Sequence, residues 1–442
     1  MKKTAIYFLI SFLAGIITYF LPLGIPTQAH IVLSILVTVG LLWLTEAMPI
    51  HVTSLLIPFL LVVFANLNLT EVFIPFFDPV VVLLMGGFAL AYGLQKFKLD
   101  EVVAYFFIHN IGTSPKRFLF AIMLATAFLS MWMSNSATTA VMMPIVVVIL
   151  VDSGLKPFQS SYAKAAVLGV AFAATIGGLS TVVGTTPNAM AVKFLADQNI
   201  ILSFSGWMYH TLPFTMIFLV VSWFILTLIY RSDIRKLHVR RYYHRLNEEQ
   251  KRILIIFVIT VFLWLTAGLH KISISLIALV PIFLFYILKL FDSKDFGNFH
   301  WDILVLVGGG LSLGAAISSS GLNVIMADVM RIIVGGHPIL IILFLTSLFC
   351  ILMTMFSSNT GTASFIIPTI IPLATALGID AKIMVILAGV SVSLDFLVPI
   401  GTPPNAIAYS TGYIHIKDMI KAGIILAVLG AFLLSFMGWL YW

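Results

Sequence analysis

Long apolar runs separated by short polar punctuation dominate this chain. Ile6 to Leu21, Ile253 to Leu269, Ile272 to Leu290 and Ile339 to Met355 approach or exceed the ~18 apolar residues needed to cross a bilayer, the last being more polar than a lipid-facing span. The pattern predicts spans near 5–22, 30–45, 52–67 and 79–97, an apolar stretch at 118–150, and further segments at 163–197 and 211–230. A second series follows at 251–269, 272–290, 302–320, 338–373, 382–411 and 419–440. The expected fold is all-α and integral to the membrane, with about 11 transmembrane helices by this count.

Four of these segments are interrupted by polar residues, and the interruptions come in two matching pairs. Ser134-Asn135-Ser136-Ala137-Thr138-Thr139, followed by Pro144, returns as Ser358-Asn359-Thr360-Gly361-Thr362-Ala363, followed by Pro368. Gly184-Thr185-Thr186-Pro187-Asn188 returns as Gly401-Thr402-Pro403-Pro404-Asn405. Irregular backbone at bilayer depth survives only inside protein or along a water-filled cavity, because its polar groups need partners. The segments 118–150 and 338–373 therefore read as re-entrant hairpins whose arms are too short to span, and 163–197 and 382–411 as broken helices.

Two more landmarks keep the same offset. Leu42-Trp43-Leu44-Thr45 matches Leu263-Trp264-Leu265-Thr266, and Gly86-Gly87 matches Gly309-Gly310. Four landmarks at near-constant spacing indicate a duplication: a first helix at 1–29, repeat 1 at 30–230, a linker at 231–250 and repeat 2 at 251–442. With the first helix set aside, each repeat has five spans. That odd number gives the repeats opposite orientations and makes the hairpins enter from opposite faces.

Composition adds little beyond this but excludes much. The chain is 61% hydrophobic and 9% charged over 442 residues, which rules out a soluble protein. The net charge of +7 does not suggest nucleic acid, because the basic residues lie at span ends rather than on a face. The stretch from Arg231 to Arg252 is rich in Lys and Arg, which assigns it to the cytoplasm. The cell membrane is the expected location, with the N-terminus cytoplasmic and the C-terminus outside. Met1-Lys2-Lys3 before an apolar run resembles a signal peptide, but Pro22 and Pro26 intervene and no small-residue cleavage site follows, so a first transmembrane helix is expected. The single Cys350 excludes an internal disulfide.

The motifs suggest anion and cation chemistry. A hairpin reversing at Ser-Asn-Ser or Ser-Asn-Thr exposes a helix N-terminus, whose free amides and positive dipole end favour an anion. The broken helices add N-termini near Pro187 and Pro404, and four such ends suit a small dianion with two separated carboxylates. The same turns leave oxygens beside unpaired carbonyls, the kind of cluster that holds Na⁺ in broken-helix transporters. The candidates are Ser130, Ser134, Asn135 and the Gly184 carbonyl in one half, and Thr354, Ser357, Asn359 and the Gly401 carbonyl in the other. Against this stands the plainer reading that the hydroxyls only cap hairpin arms or back-bond to the preceding turn.

Together, the two tips, the two breaks and Trp43-Leu44-Thr45-Glu46-Ala47-Met48-Pro49 resemble the divalent anion:sodium symporters, the DASS or INDY-like carriers, over nearly the whole chain. The resemblance implies an inverted-repeat fold, a homodimer, an elevator-like movement, and carboxylate with Na⁺ at both tips. Carried over by position, the substrate residues are Ser134, Asn135, Ser136, Thr185, Ser358, Asn359, Thr360, Thr402 and Pro403. The implied function is secondary transport of C4–C5 dicarboxylates such as malate, succinate, fumarate or 2-oxoglutarate. Na⁺-coupled symport is the first expectation and Na⁺-independent exchange the alternative; sulfate or citrate carriage and an anion channel rank lower. An enzyme is not the expectation, since no His-Glu-x-x-His or phosphate loop occurs and the cassette serines have no paired buried His or Lys to act as a base.

Three positions depart from the family pattern. Ser136 replaces a threonine, Thr186-Pro187 replaces a double proline, and Asp395 stands six residues before Gly401 where a small neutral residue is expected. An intramembrane carboxylate is a functional candidate by default. Asp395 could join the second cation site, carry a proton or substitute for a cation, or it could simply pack at a helix end.

Overall fold

The computed structural model describes residues 2–111, 114–239, 245–355 and 357–442. Residues 240–244 of the basic linker and Phe356 beside the second cassette lie outside the described residues. Regular structure among the described residues is entirely helical. Among the described residues eight helices are long and apolar enough to cross a membrane, and shorter apolar helices accompany them. The eight include Asn135–Asp152 and Asn359–Leu377, the second arms of the two hairpins, which are longer than the expected arms too short to span.

The local signals explain where the helices start and stop. The first hairpin has arms Pro115–Ser130 and Asn135–Asp152; the second has arms Ile339–Thr354 and Asn359–Leu377. Ser134 and Ser358 take extended backbone at the reversals, and each Oγ accepts from the amide three residues on, Ala137 at 3.2 Å and Gly361 at 3.0 Å. This satisfies a donor that the first turn of a helix cannot satisfy itself. The broken helices run Ser161–Gly178 then Thr186–Ala196, and Ala381–Ser391 then Pro403–Ser410. Phe204–Ile229 and Ile416–Leu440 follow them as long spans.

The duplication read from the sequence reappears as pairs of reciprocal contacts. A Cβ added to Gly86, in helix Pro79–Lys96, would fall 2.1 Å from the Ala278 carbonyl oxygen. One added to Gly309, in helix Trp301–Ser319, would fall 2.6 Å from the Ser54 carbonyl oxygen. Ser54 and Ala278 are separated by nearly the same offset as the two glycines, so this is one contact made twice with the halves exchanged. The hairpins follow the same rule. Asn135–Asp152 packs on Pro403–Ser410, and Asn359–Leu377 packs on Thr186–Ala196. Trp43 Nε1 donates to the Ile50 carbonyl at 3.3 Å, and Trp264 Nε1 donates to the Ile274 carbonyl at 3.0 Å. Each half thus completes the other, which is why neither could bury its polar interruptions alone.

The structure adds two helices that the apolar pattern does not predict, Leu99–Ile111 and Leu322–Val334. They begin at the same offset as Gly86 and Gly309, so they belong to the repeat. Both have 13 residues, too few to span a bilayer. Leu322–Val334 exposes Val324, Val329, Ile332 and Ile333 while carrying Asp328 and Arg331. Mixing charge with exposed apolar side chains suits an interfacial helix and breaks up the continuous run that marks a span. The expected 272–290 span is also divided, into Ile274–Ile277 and Leu279–Ile287.

Candidate functional site

At each tip the asparagine is oriented from one turn back along the first arm. Ser130 Oγ donates to Asn135 Oδ1 at 2.7 Å, and Thr354 Oγ1 donates to Asn359 Oδ1 at 2.7 Å. Both amide oxygens are thereby fixed, and both amide nitrogens donate to no group among the described residues, leaving them available to an anion. Ser130 and Thr354 are fully buried, whereas the asparagines are half-buried.

The breaks are held open by a second pair of asparagines that the motif reading did not assign a role. Asn188 Nδ2 donates to the carbonyls of Gly178, Leu179 and Thr181 at 2.9, 3.3 and 2.7 Å. Asn405 Nδ2 donates to the carbonyls of Asp395 and Val398 at 3.3 and 3.1 Å. A single amide thus satisfies the carbonyls that the broken helix cannot, at a depth where water is scarce. Thr402 Oγ1 accepts from the Asn405 amide at 3.4 Å, capping the second half-helix. Thr185 occupies the same N-cap position in the first break without a side-chain bond.

Hairpin tip and helix break meet in the first half around glycine. A Cβ added to Gly178 would fall 2.2 Å from Asn135 Oδ1 and 3.1 Å from the Gly184 carbonyl oxygen. The absence of a side chain at residue 178 is what keeps a cradle open between two oxygens. With Ser130 Oγ beside Asn135 Oδ1, the donor set is all oxygen and uncharged, which fits a hard monovalent cation. Gly177 lets the broken helix lie against the hairpin, since a Cβ there would fall 2.2 Å from the Ala127 carbonyl oxygen.

The second half differs at the matching point. Asp395 follows Gly178 by 217 residues, the offset that separates Gly401 from Gly184 and Asn405 from Asn188. Its side chain is fully buried, and a Cβ on Gly401 would fall 1.8 Å from its Oδ2.

The second tip and second break line a cavity together. A cavity of 610 Å³ is lined by Ser357, Ser358, Gly401, Thr402, Pro403, Tyr409 and, from the N-terminal half, Trp43 and Glu46. Ser134, Asn135 and Ser136 do not line it. Thr360, at the second tip, instead meets Thr186 hydroxyl to hydroxyl across the two halves. Proline stands at the position matching Thr186 in the second break, so the departure from the double proline supplies this cross-link. Away from the cavity, Lys193 on the first break's second half-helix lies 3.4 Å from Asp78, which caps helix Pro79–Lys96 through the Val80 amide at 2.9 Å. Half-helix Pro403–Ser410 lines the cavity with Pro403, Ala406 and Tyr409; beyond that helix Tyr413 donates to the Leu155 carbonyl, and Tyr230, at the start of the linker, donates to the Asp418 carbonyl.

Hairpins and broken helices from two exchanged halves, enclosing polar groups in an apolar bundle, define a multi-pass membrane transporter. Residues 2–442 match the family described as the sodium:sulfate symporter transmembrane region, and the chain belongs to that family. An uncharacterized transporter of Haemophilus influenzae is 31% identical over 98% of this chain and 97% of its own. The sodium-dependent dicarboxylate transporter SdcS of Staphylococcus saprophyticus is 32% identical over 91% of this chain and 84% of its own. The fold is also similar to the crystal structure of the Alcanivorax borkumensis YdaH transporter, with a TM-score of 0.60 and 16% identity over 84% of this chain and 87% of that one.

Proposed function

We propose that this chain carries small C4–C5 dicarboxylates across the cell membrane with Na⁺ as a co-transported substrate. The observation that carries the reading is the first-half cradle, where Asn135 Oδ1 and the Gly184 carbonyl flank the space left by Gly178. An oxygen-only cradle beside a free asparagine amide pairs a cation with an anion at one tip. The staphylococcal relatives, named as sodium-dependent dicarboxylate transporters, point the same way.

The electrostatics favour coupling. A helix N-terminus supplies only about half a charge, too little to offset a dianion at bilayer depth. Na⁺ at the tips reduces that deficit, so substrate and cation raise one another's affinity by the same factor. In this reading the hairpins and broken helices move as one body against the remaining helices, in a homodimer. The Lys193–Asp78 pair and the Thr186–Thr360 contact hold the conformation whose cavity opens toward the linker. Labelled succinate uptake into proteoliposomes should rise steeply when Na⁺ replaces choline outside. Uptake indifferent to Na⁺ and driven only by internal dicarboxylate would instead establish exchange.

In this reading the two repeats are inverted in the bilayer, the linker is cytoplasmic, the C-terminus is outside, and the cavity opens inward. On a Cys350→Ser background, Ser232→Cys and Tyr409→Cys should react with an impermeant thiol reagent only from the cytoplasmic side, and a cysteine added after Trp442 only from outside. Labelling of Ser232→Cys and the added cysteine from one face would remove the inversion.

A further inference from the structure

The second cation cluster differs from the first in carrying its own charge. What this charge does follows from the proposed function, in which Na⁺ is a co-transported substrate. In the first half, glycine at residue 178 leaves space between Asn135 Oδ1 and the Gly184 carbonyl oxygen. In the second half the matching residue is Asp395, and its side chain projects toward Gly401, whose carbonyl corresponds to that of Gly184. Asp395 is 0% exposed. Its Oδ1 accepts from the Leu397 amide at 3.3 Å, while its Oδ2 is buried and accepts from no group among the described residues.

A buried carboxylate oxygen without a donor is costly unless an opposite charge compensates it. No Lys, Arg or His among the described residues is paired with Asp395. Two other buried oxygens of these segments also have no partner among the described residues. Asn405, whose Nδ2 donates to the Asp395 carbonyl, has a buried Oδ1 with no partner. Ser357, which lines the same cavity as Gly401, has a buried Oγ with no partner. A buried carboxylate oxygen with neither a donor nor a basic side chain among the described residues lacks one thing, a counter-charge.

We infer that Asp395 Oδ2 is a direct ligand of the cation in the second cluster, so that this site binds Na⁺ without waiting for the substrate. The first site, built from neutral oxygens, gains affinity mainly when the dianion arrives. Binding is therefore ordered: Na⁺ at the Asp395 site first, then the dicarboxylate with Na⁺ at the Asn135 site.

The test uses the purified full chain in detergent, without dicarboxylate, and follows its melting temperature as Na⁺ replaces choline at constant ionic strength. Na⁺ should stabilise the wild type. In Asp395→Asn the Na⁺ concentration at half-effect should rise about tenfold or more, as expected for losing a charged partner. Asp395→Gly, which restores the residue of the first half, should respond to Na⁺ only when succinate is present. A merely structural role for Asp395 would lower the melting temperature without moving the half-effect concentration. A wild-type response that both variants share overturns the ligand while leaving Na⁺ coupling intact. A wild type indifferent to Na⁺, with or without succinate, overturns both.

Discussion

Replacing Asn135 or Asn359 with alanine is expected to lower dicarboxylate uptake by one to two orders of magnitude while leaving the protein folded. Each asparagine is asked to do two things at once. Its Oδ1 is fixed by Ser130 or Thr354 at 2.7 Å, and the proposed function assigns that oxygen to the cation and the free Nδ2 to the anion. Losing one hydrogen bond to a charged group costs ~1.5–3 kcal/mol, and alanine removes the cation ligand as well. The fold should tolerate the change because Ser134 and Ser358, not the asparagines, cap the second arms. Equilibrium binding of labelled succinate and uptake in proteoliposomes measure the loss. Uptake within a factor of two of wild type in either variant would remove the tips from the site.

The second large effect is expected at Gly178. An alanine there brings a methyl group to 2.2 Å from Asn135 Oδ1 and 3.1 Å from the Gly184 carbonyl oxygen, into the space assigned to the first cation. Asn135 must swing away and give up the bond from Ser130. Na⁺-stimulated uptake should fall about tenfold, since an unpaired buried oxygen alone costs ~1–3 kcal/mol. Gly40→Ala is the control, because a Cβ at that position meets nothing within 4 Å. If Gly178→Ala keeps the wild-type Na⁺ dependence while Gly40→Ala behaves as wild type, the cradle does not hold the cation.

Gly178 and Asp395 together show why the two halves are best treated as related but unequal. Duplication gave both the same frame: a hairpin tip fixed by a hydroxyl, and a break stapled by Asn188 or Asn405. Divergence then changed one residue at the same point in each cradle. One cradle is kept open by having no side chain, and the other contains a carboxylate. Thr186 adds a further asymmetry by meeting Thr360, where its counterpart Pro403 lines the cavity.

The positions of the tips and breaks were legible in the sequence because polar, glycine and proline residues inside apolar runs have few physical explanations at bilayer depth. Their pairing was legible because a duplication leaves a constant offset, and an offset needs no structure to be measured. The hydroxyl–asparagine pairs were legible as well, since residues four or five apart across a hairpin tip are neighbours by local geometry. The helices Leu99–Ile111 and Leu322–Val334 were not legible, because their charges interrupt the apolar run that marks a span. Tertiary structure alone decided the rest: the exchange of hairpins between halves, the meeting of Thr186 with Thr360, the cavity at one tip, and the approach of Asp395 Oδ2 to Gly401. Each is a contact between segments whose own patterns say only that they are buried or polar. Which buried surface faces which depends on how whole helices pack, and no local periodicity encodes that.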